Sequence, residues 1–171
     1  GSQGAASINK AVVAAADTLR HAGIAVLHAY GRKNHITVPK ASEEAGMYRA
    51  VPYIDRMDLA LAAADMILCR AGALTVAEVS AVGLPAVYVP LPHGNGEQEL
   101  SARPVVNAGG GVIVPDAELD AQRVSKEVIP LLRDTRRLQK AEQAAEKAGH
   151  RGAAQAIADR ILAATAATNK R

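Results

Sequence analysis

The chain has 171 residues, of which 49% are hydrophobic and 22% charged, with a formal net charge of +3. This balance excludes a disordered chain, and 20 basic against 17 acidic residues, with four Tyr and neither Phe nor Trp, leave no footprint for nucleic acid. The single Cys69 cannot close an internal disulfide and fits the reducing cytosolic side, while no apolar run nears the roughly 20 residues of a membrane helix.

Ile8, Val12, Ala15, Ala16 and Leu19 recur at helical spacing and predict a helix over 5–22 that stops at Gly23. Residues 24–28 are apolar and partly β-branched, hence a buried strand, with 30–34 as the loop after it. The stretch 36–47 has no decisive period. A second strand is expected over 49–54, with Pro52 favouring an edge or strand end, and then a helix over 57–64. Residues 66–69 form the third strand, and 74–82 the next helix, closed by Gly83. A fourth strand at 86–90 and a polar loop at 92–96 lead to a helix over 97–108 that Pro104 should kink or split. Three glycines at 109–111 precede the strand 112–114. From Asp120 onward the chain reads as Ala-rich helix, broken near Asp134, Gly149 and Gly152 and expected to pack back on the sheet.

Strand–helix alternation with short glycine-marked connections is the signature of parallel βαβ units. The expected fold is α/β, a Rossmann-like parallel sheet with helices on both faces, as one domain over 1–171. Ligands of such sheets bind beyond the carboxyl ends of the strands, which singles out the loops 1–5, 70–75 and 91–98.

Each of these loops opens a helix. Gly1-Ser2-Gln3-Gly4 offers backbone N–H groups and the positive end of a helix dipole, which suit a phosphate or serve merely as a tight turn. No Gly-Lys-Ser/Thr follows, and no GxGxxG with a distant acidic residue, so the common NTP and NAD motifs are excluded. Arg70-Ala71-Gly72-Ala73-Leu74-Thr75 repeats the arrangement after another strand. Glu78, three residues after Thr75, either completes a capping box or accepts hydrogen bonds from a ribose diol. In the third loop Gln98 offers both a donor and an acceptor, as sugar hydroxyls require, although an exposed polar loop needs no ligand. His28 and His93 read as packed or solvated, and Cys69 as core. No His, Cys or carboxylate spacing implies a metal, and no cofactor is expected.

Gly-Ser-Gln-Gly-Ala at 1–5 with Asn9, Tyr53-Ile54-Asp55-Arg56-Met57, the run from Cys69 to Glu78, and Gly83-Leu84-Pro85-Ala86 through Pro90 together resemble the donor-domain motifs of the MurG-type N-acetylglucosaminyltransferases. The likeness is most specific over 66–110 and thins after about residue 115. It implies the C-terminal half of a GT-B glycosyltransferase and transfer of GlcNAc from UDP-GlcNAc to the lipid-linked muramoyl-pentapeptide, giving lipid II in peptidoglycan synthesis. It further implies inversion at the anomeric carbon without a metal, and a peripheral place on the cytoplasmic side of a bacterial membrane, in the company of cell-wall synthesis proteins.

By the same resemblance Ser2 and Gly4 face the diphosphate, and Ile54 reads uracil with its backbone. Leu74 and Thr75 lie against phosphate and sugar, Glu78 holds the ribose hydroxyls, and Gln98 binds GlcNAc, with Gln3, Gly72 and Ala73 also among the substrate-binding residues. Asn9 and Arg70 match family positions as well. Glu97 and Ser101 depart from the family's usual residues, which makes the sugar contacts less secure than the nucleotide contacts. The family's acceptor domain, with its general base, has no counterpart in the sequence, nor has the central strand expected before Gly1, so no catalytic residue is assigned to this chain. Two other readings are a UDP-sugar-binding module without turnover and a GT-B-like UDP-GlcNAc epimerase. The epimerase would need a pair of acid and base carboxylates that the sequence does not offer.

Overall fold

The apolar stripe of the first predicted helix buries Ile8, Val12, Ala15, Ala16 and Leu19 in α1 (Ala6–His21) of the computed structural model, which describes residues 4–168. The strands follow as β1 (Val26–Ala29), β2 (Tyr48–Val51), β3 (Ile67–Cys69), β4 (Ala86–Tyr88) and β5 (Gly111–Ile113). Between them lie α2 (Lys40–Glu44), α3 (Met57–Ala63), α4 (Ala73–Ala81) and α5 (Glu97–Asn107). A 3-10 turn at Asp116–Glu118 follows β5, then α6 (Ala121–Arg133), α7 (Thr135–Ala148) and α8 (Ala153–Thr168). The stretch 36–47, without a period of its own, contains the short α2.

Every strand pairing is parallel, in two ladders of order β1–β2 and β3–β4–β5. Alternation along β4 sorts the core into two halves. Val87 and Val89 point to the side where α1 and α6 pack, in one cluster with Val26 of β1, Leu68 of β3 and Val114. Ala86 and Tyr88 point to the other side, against Val79 of α4, Val105 of α5 and Ala145 of α7. The α/β class and the helices on both faces are therefore as the alternation of elements predicts. Because α1 packs on residues of both ladders, one core joins them.

Small residues set the helix–sheet spacing. A Cβ on Gly110 would lie 2.7 Å from the backbone of Ala145, so α7 comes as near as it does only because position 110 has no side chain. Burial raises the Cys69 thiol to a pKa of about 12, which makes it an inert core group.

Three expectations are corrected. Pro104 does not split its helix: α5 runs unbroken through it. Pro104 lies on the exposed side, where the acceptor left without its donor meets water, while Ala102 and Val105 fix the inner face. The C-terminal helices do not all pack back, since Ile157, Ile161 and Leu162 of α8 are 59%, 59% and 66% exposed. The face they would need is already taken by α7 through Ala141 and Ala145. Finally, the helix after β3 starts at Ala73 with Gly72 as its N-cap, so Thr75 and Glu78 both lie inside α4 and form no capping box.

Candidate functional site

At the carboxyl ends of the strands, the start of α1 is shaped by its neighbours. Gly4 has φ +69, and a Cβ there would run into the Tyr30 carbonyl and the Asn34 side chain, so only glycine fits where the chain enters the helix. One turn on, Asn9 is 5% exposed. Its Nδ2 donates to the Tyr30 carbonyl (2.9 Å), and its Oδ1 faces His28 Nε2 (2.9 Å). With Oδ1 accepting, Nε2 carries the His28 proton, and Nδ1 accepts from the Tyr48 hydroxyl (2.6 Å). Burial lowers the His28 pKa and favours this neutral tautomer. The network pins the Tyr30 loop beneath α1. Both polar atoms of the Asn9 amide are thus engaged inside the fold.

A second junction gathers four segments. Arg70, which follows β3, donates through Nη1 to the carbonyls of Val89 (3.2 Å) and Pro90 (3.3 Å) and to Asp116 Oδ1, and through Nη2 to Ser7 Oγ (2.9 Å). Ser7 Oγ in turn donates to Asp116 Oδ1 (2.6 Å). Partial burial pushes the Asp116 pKa up, but hydrogen bonds from Ser7 and Arg70, with the charges of Arg70 and His93, outweigh that and hold it below the ordinary carboxylate value. The starts of α1 and α4 are thereby tied to the ends of β4 and β5. The Arg70 side chain, a sequence-predicted contact, is engaged in this junction.

Among the described residues, neither α1 nor α4 has a side-chain cap, and neither has an acidic residue in its first turn. Both leave backbone N–H groups and the positive end of the dipole for an anion. α5 differs, because Glu97 and Glu99 already put negative charge on its first turn. In α4 the small Gly72 and Ala73 leave the entry open, Leu74 is 80% exposed, and Thr75 is half-buried. Glu78 is exposed one turn further on, and among the described residues its side chain makes no hydrogen bond or ion pair. Its carboxylate stays available to a ligand.

In the third loop the Gln98 side chain folds back, its Oε1 accepting from the Leu91 N–H (3.0 Å) and its amide N–H groups left over. Glu97 accepts from Asn95 Nδ2 (3.0 Å), and Ser101 Oγ donates to the Glu97 carbonyl (2.8 Å). Ile54 is half-buried in the loop between β2 and α3 and takes no part in either network. Ser2 and Gln3 lie outside the described residues.

Among the described residues no three His, Cys, Asp or Glu side chains converge as a metal site would require. No described helix is long and apolar enough to cross a membrane. A concavity of about 670 Å³, lined by Leu61, Val82, Leu84, Glu142, Glu146 and Arg151, lies at the far end of α4 from Gly72. The candidate site is instead an open surface along the strand ends. The sequence reading passed over Ser7 and Asp116. Asp116 could have been found by the rule that named the three loops, for it lies two residues past the predicted strand 112–114.

Comparison with known proteins gives a consistent picture. The family model for the glycosyltransferase family 28 C-terminal domain matches residues 1–157. The chain is 68% identical over 165 residues to a UDP-N-acetylglucosamine–N-acetylmuramyl-(pentapeptide) pyrophosphoryl-undecaprenol N-acetylglucosamine transferase of Corynebacterium jeikeium, covering 96% of this chain and 45% of the relative. It is 61% identical over 168 residues to the protein of the same name from Rhodococcus jostii, covering 98% and 44%. In structure it is similar to a crystal structure of Acinetobacter baumannii MurG, with a TM-score of 0.75 at 26% identity, covering 95% of this chain and 49% of that one. The chain thus spans less than half the length of the curated relatives it matches.

Proposed function

We propose a donor-binding role for this chain, which belongs to the glycosyltransferase family 28 C-terminal domain family. In this reading it is a single domain that holds UDP-GlcNAc for transfer of GlcNAc to a lipid-linked muramoyl-pentapeptide, the reaction that the names of its relatives describe. One observation carries it: two uncapped helix starts without acidic residues, those of α1 and α4, are joined by the junction of Ser7, Arg70 and Asp116. Together they form a cradle for a diphosphate, and among the described residues the Glu78 carboxylate on α4 has no other partner.

The chemistry follows from that placement. Backbone N–H groups from the two helices neutralise the diphosphate in the ground state. They stabilise it more strongly as the bond to the anomeric carbon breaks and charge builds on the departing UDP. Glu78 accepts hydrogen bonds from the two ribose hydroxyls, the Ile54 backbone reads the base, and Leu74 and Thr75 pack against phosphate and sugar. The amide N–H groups of Gln98 reach a GlcNAc hydroxyl. The acceptor hydroxyl attacks the face opposite UDP, with inversion and without a metal. Its general base comes from an acceptor domain outside this chain, at the cytoplasmic face of the membrane.

Titration of the folded chain with UDP and UDP-GlcNAc by calorimetry tests this. Saturable binding of both is expected, and failure of the folded chain to bind either one rejects the reading.

A further inference from the structure

We infer that Asp116 is a positioning residue for the donor site: through Ser7 and Arg70 it fixes the spacing between the start of α1 and the start of α4. The inference rests on the diphosphate reading and goes beyond it, because Asp116 follows β5 and belongs to neither helix. Its Oδ1 accepts from Ser7 Oγ, in the first turn of α1, and from Arg70 Nη1, three residues before the first residue of α4. Arg70 Nη2 closes the ring by donating to Ser7 Oγ. The two other acceptors of Nη1, the carbonyls of Val89 and Pro90, fix the guanidinium plane to the end of β4.

The carboxylate has a second consequence. It balances the Arg70 charge within the fold, so the attraction for a diphosphate comes from the two rows of N–H groups, whose geometry is fixed, and not from a flexible cation. The Asp116 and Arg70 side chains are only 17% and 23% exposed, which shields the pair from competing water more than a surface pair. Because a ligand bridging two helices binds best at one separation, loosening the ring weakens binding without removing any ligand contact.

The test combines native-state hydrogen exchange with UDP calorimetry on the 171-residue chain. The proteins are the wild type, Asp116→Asn, Arg70→Gln, the double variant, and Ser7→Ala, which removes one hydroxyl and serves if a charge variant does not fold. The expected result is faster amide exchange in the first turns of both α1 and α4, with α7 unchanged. UDP affinity should fall about tenfold in each charge variant, with the double variant no weaker than the worse single. Faster exchange confined to 115–119, unchanged UDP affinity, or losses that multiply to about a hundredfold in the double variant would overturn the inference. A wild-type chain that binds no UDP rejects the donor-binding reading instead, and the exchange pattern then decides on the ring by itself.

Discussion

Asn9 Oδ1 lies 2.9 Å from His28 Nε2 under α1, and each side chain has its other polar atom committed as well, Asn9 to the Tyr30 carbonyl and His28 to the Tyr48 hydroxyl. This buried chain of four groups decides where the Tyr30 loop sits, and the loop in turn confines Gly4. A residue that the family resemblance places among the donor contacts therefore acts from below on the loop that opens α1.

Asn9→Ala leaves the His28 N–H and the Tyr30 carbonyl buried without partners. A loss of stability of about 2–4 kcal/mol is expected, at roughly 1–3 kcal/mol for each group left unpaired and some recovery by water. Urea unfolding followed by far-UV circular dichroism measures it. A loss of under about 0.5 kcal/mol, with UDP binding abolished, would make Asn9 a direct ligand contact instead.

The same network predicts a pH dependence. Burial holds the folded His28 pKa below its ordinary value of about 6.5, so the unfolded chain takes up the proton first as pH falls. The contribution of neutral His28 is thus complete above about pH 6.5 and declines as pH drops toward the folded pKa. His28→Gln should be less stable than the wild type at pH 7.5, and the gap should narrow by pH 5. Urea midpoints over that range give the answer, and a gap that widens toward pH 5 contradicts it.

The donor-binding proposal gives the ribose to Glu78 and the GlcNAc to Gln98. Glu78→Ala should weaken UDP and UDP-GlcNAc alike, by about ten- to a hundredfold, as for a lost hydrogen-bond pair to a charged group. Gln98→Ala should weaken UDP-GlcNAc more than UDP. Calorimetry with both ligands resolves the pattern, and equal losses for both ligands in both variants refute the division.

Gly110→Ala should cost about 1–3 kcal/mol, because the new methyl group would stand 2.7 Å from the Ala145 backbone and force α7 away from the sheet. Thermal unfolding measures it. Adding Ala145→Gly should recover little, since the clash is with backbone atoms and not only with the methyl group of Ala145.

Several features of the site were legible because local rules determine them. Strand–helix alternation marked the loops at the carboxyl ends of the strands, and the small residues at 71–73 announced a helix that a ligand can approach. The two readings of Glu78 could not be separated locally, since a capping box and a ribose contact ask for the same spacing. Three residues of register remove the capping box: α4 starts at Ala73, so Thr75 is not an N-cap, and among the described residues the Glu78 carboxylate has no partner. The roles of Asn9 and Arg70 were hidden for another reason. Their partners are 19 and 46 residues away along the chain, at His28 and Asp116.

The sequence by itself determined the parallel α/β class, the order of the five strands and the family, because periodicity, glycine stops and short motifs are properties of neighbouring residues. Tertiary structure alone decided how Pro104 is accommodated, since an exposed carbonyl can lose its donor to water, and left α8 uncovered once α7 had filled the sheet face. It also decided that the two helix starts are joined through Ser7, Arg70 and Asp116. Hydrogen bonds between distant segments depend on where the folded backbone brings them, and no local pattern encodes that meeting.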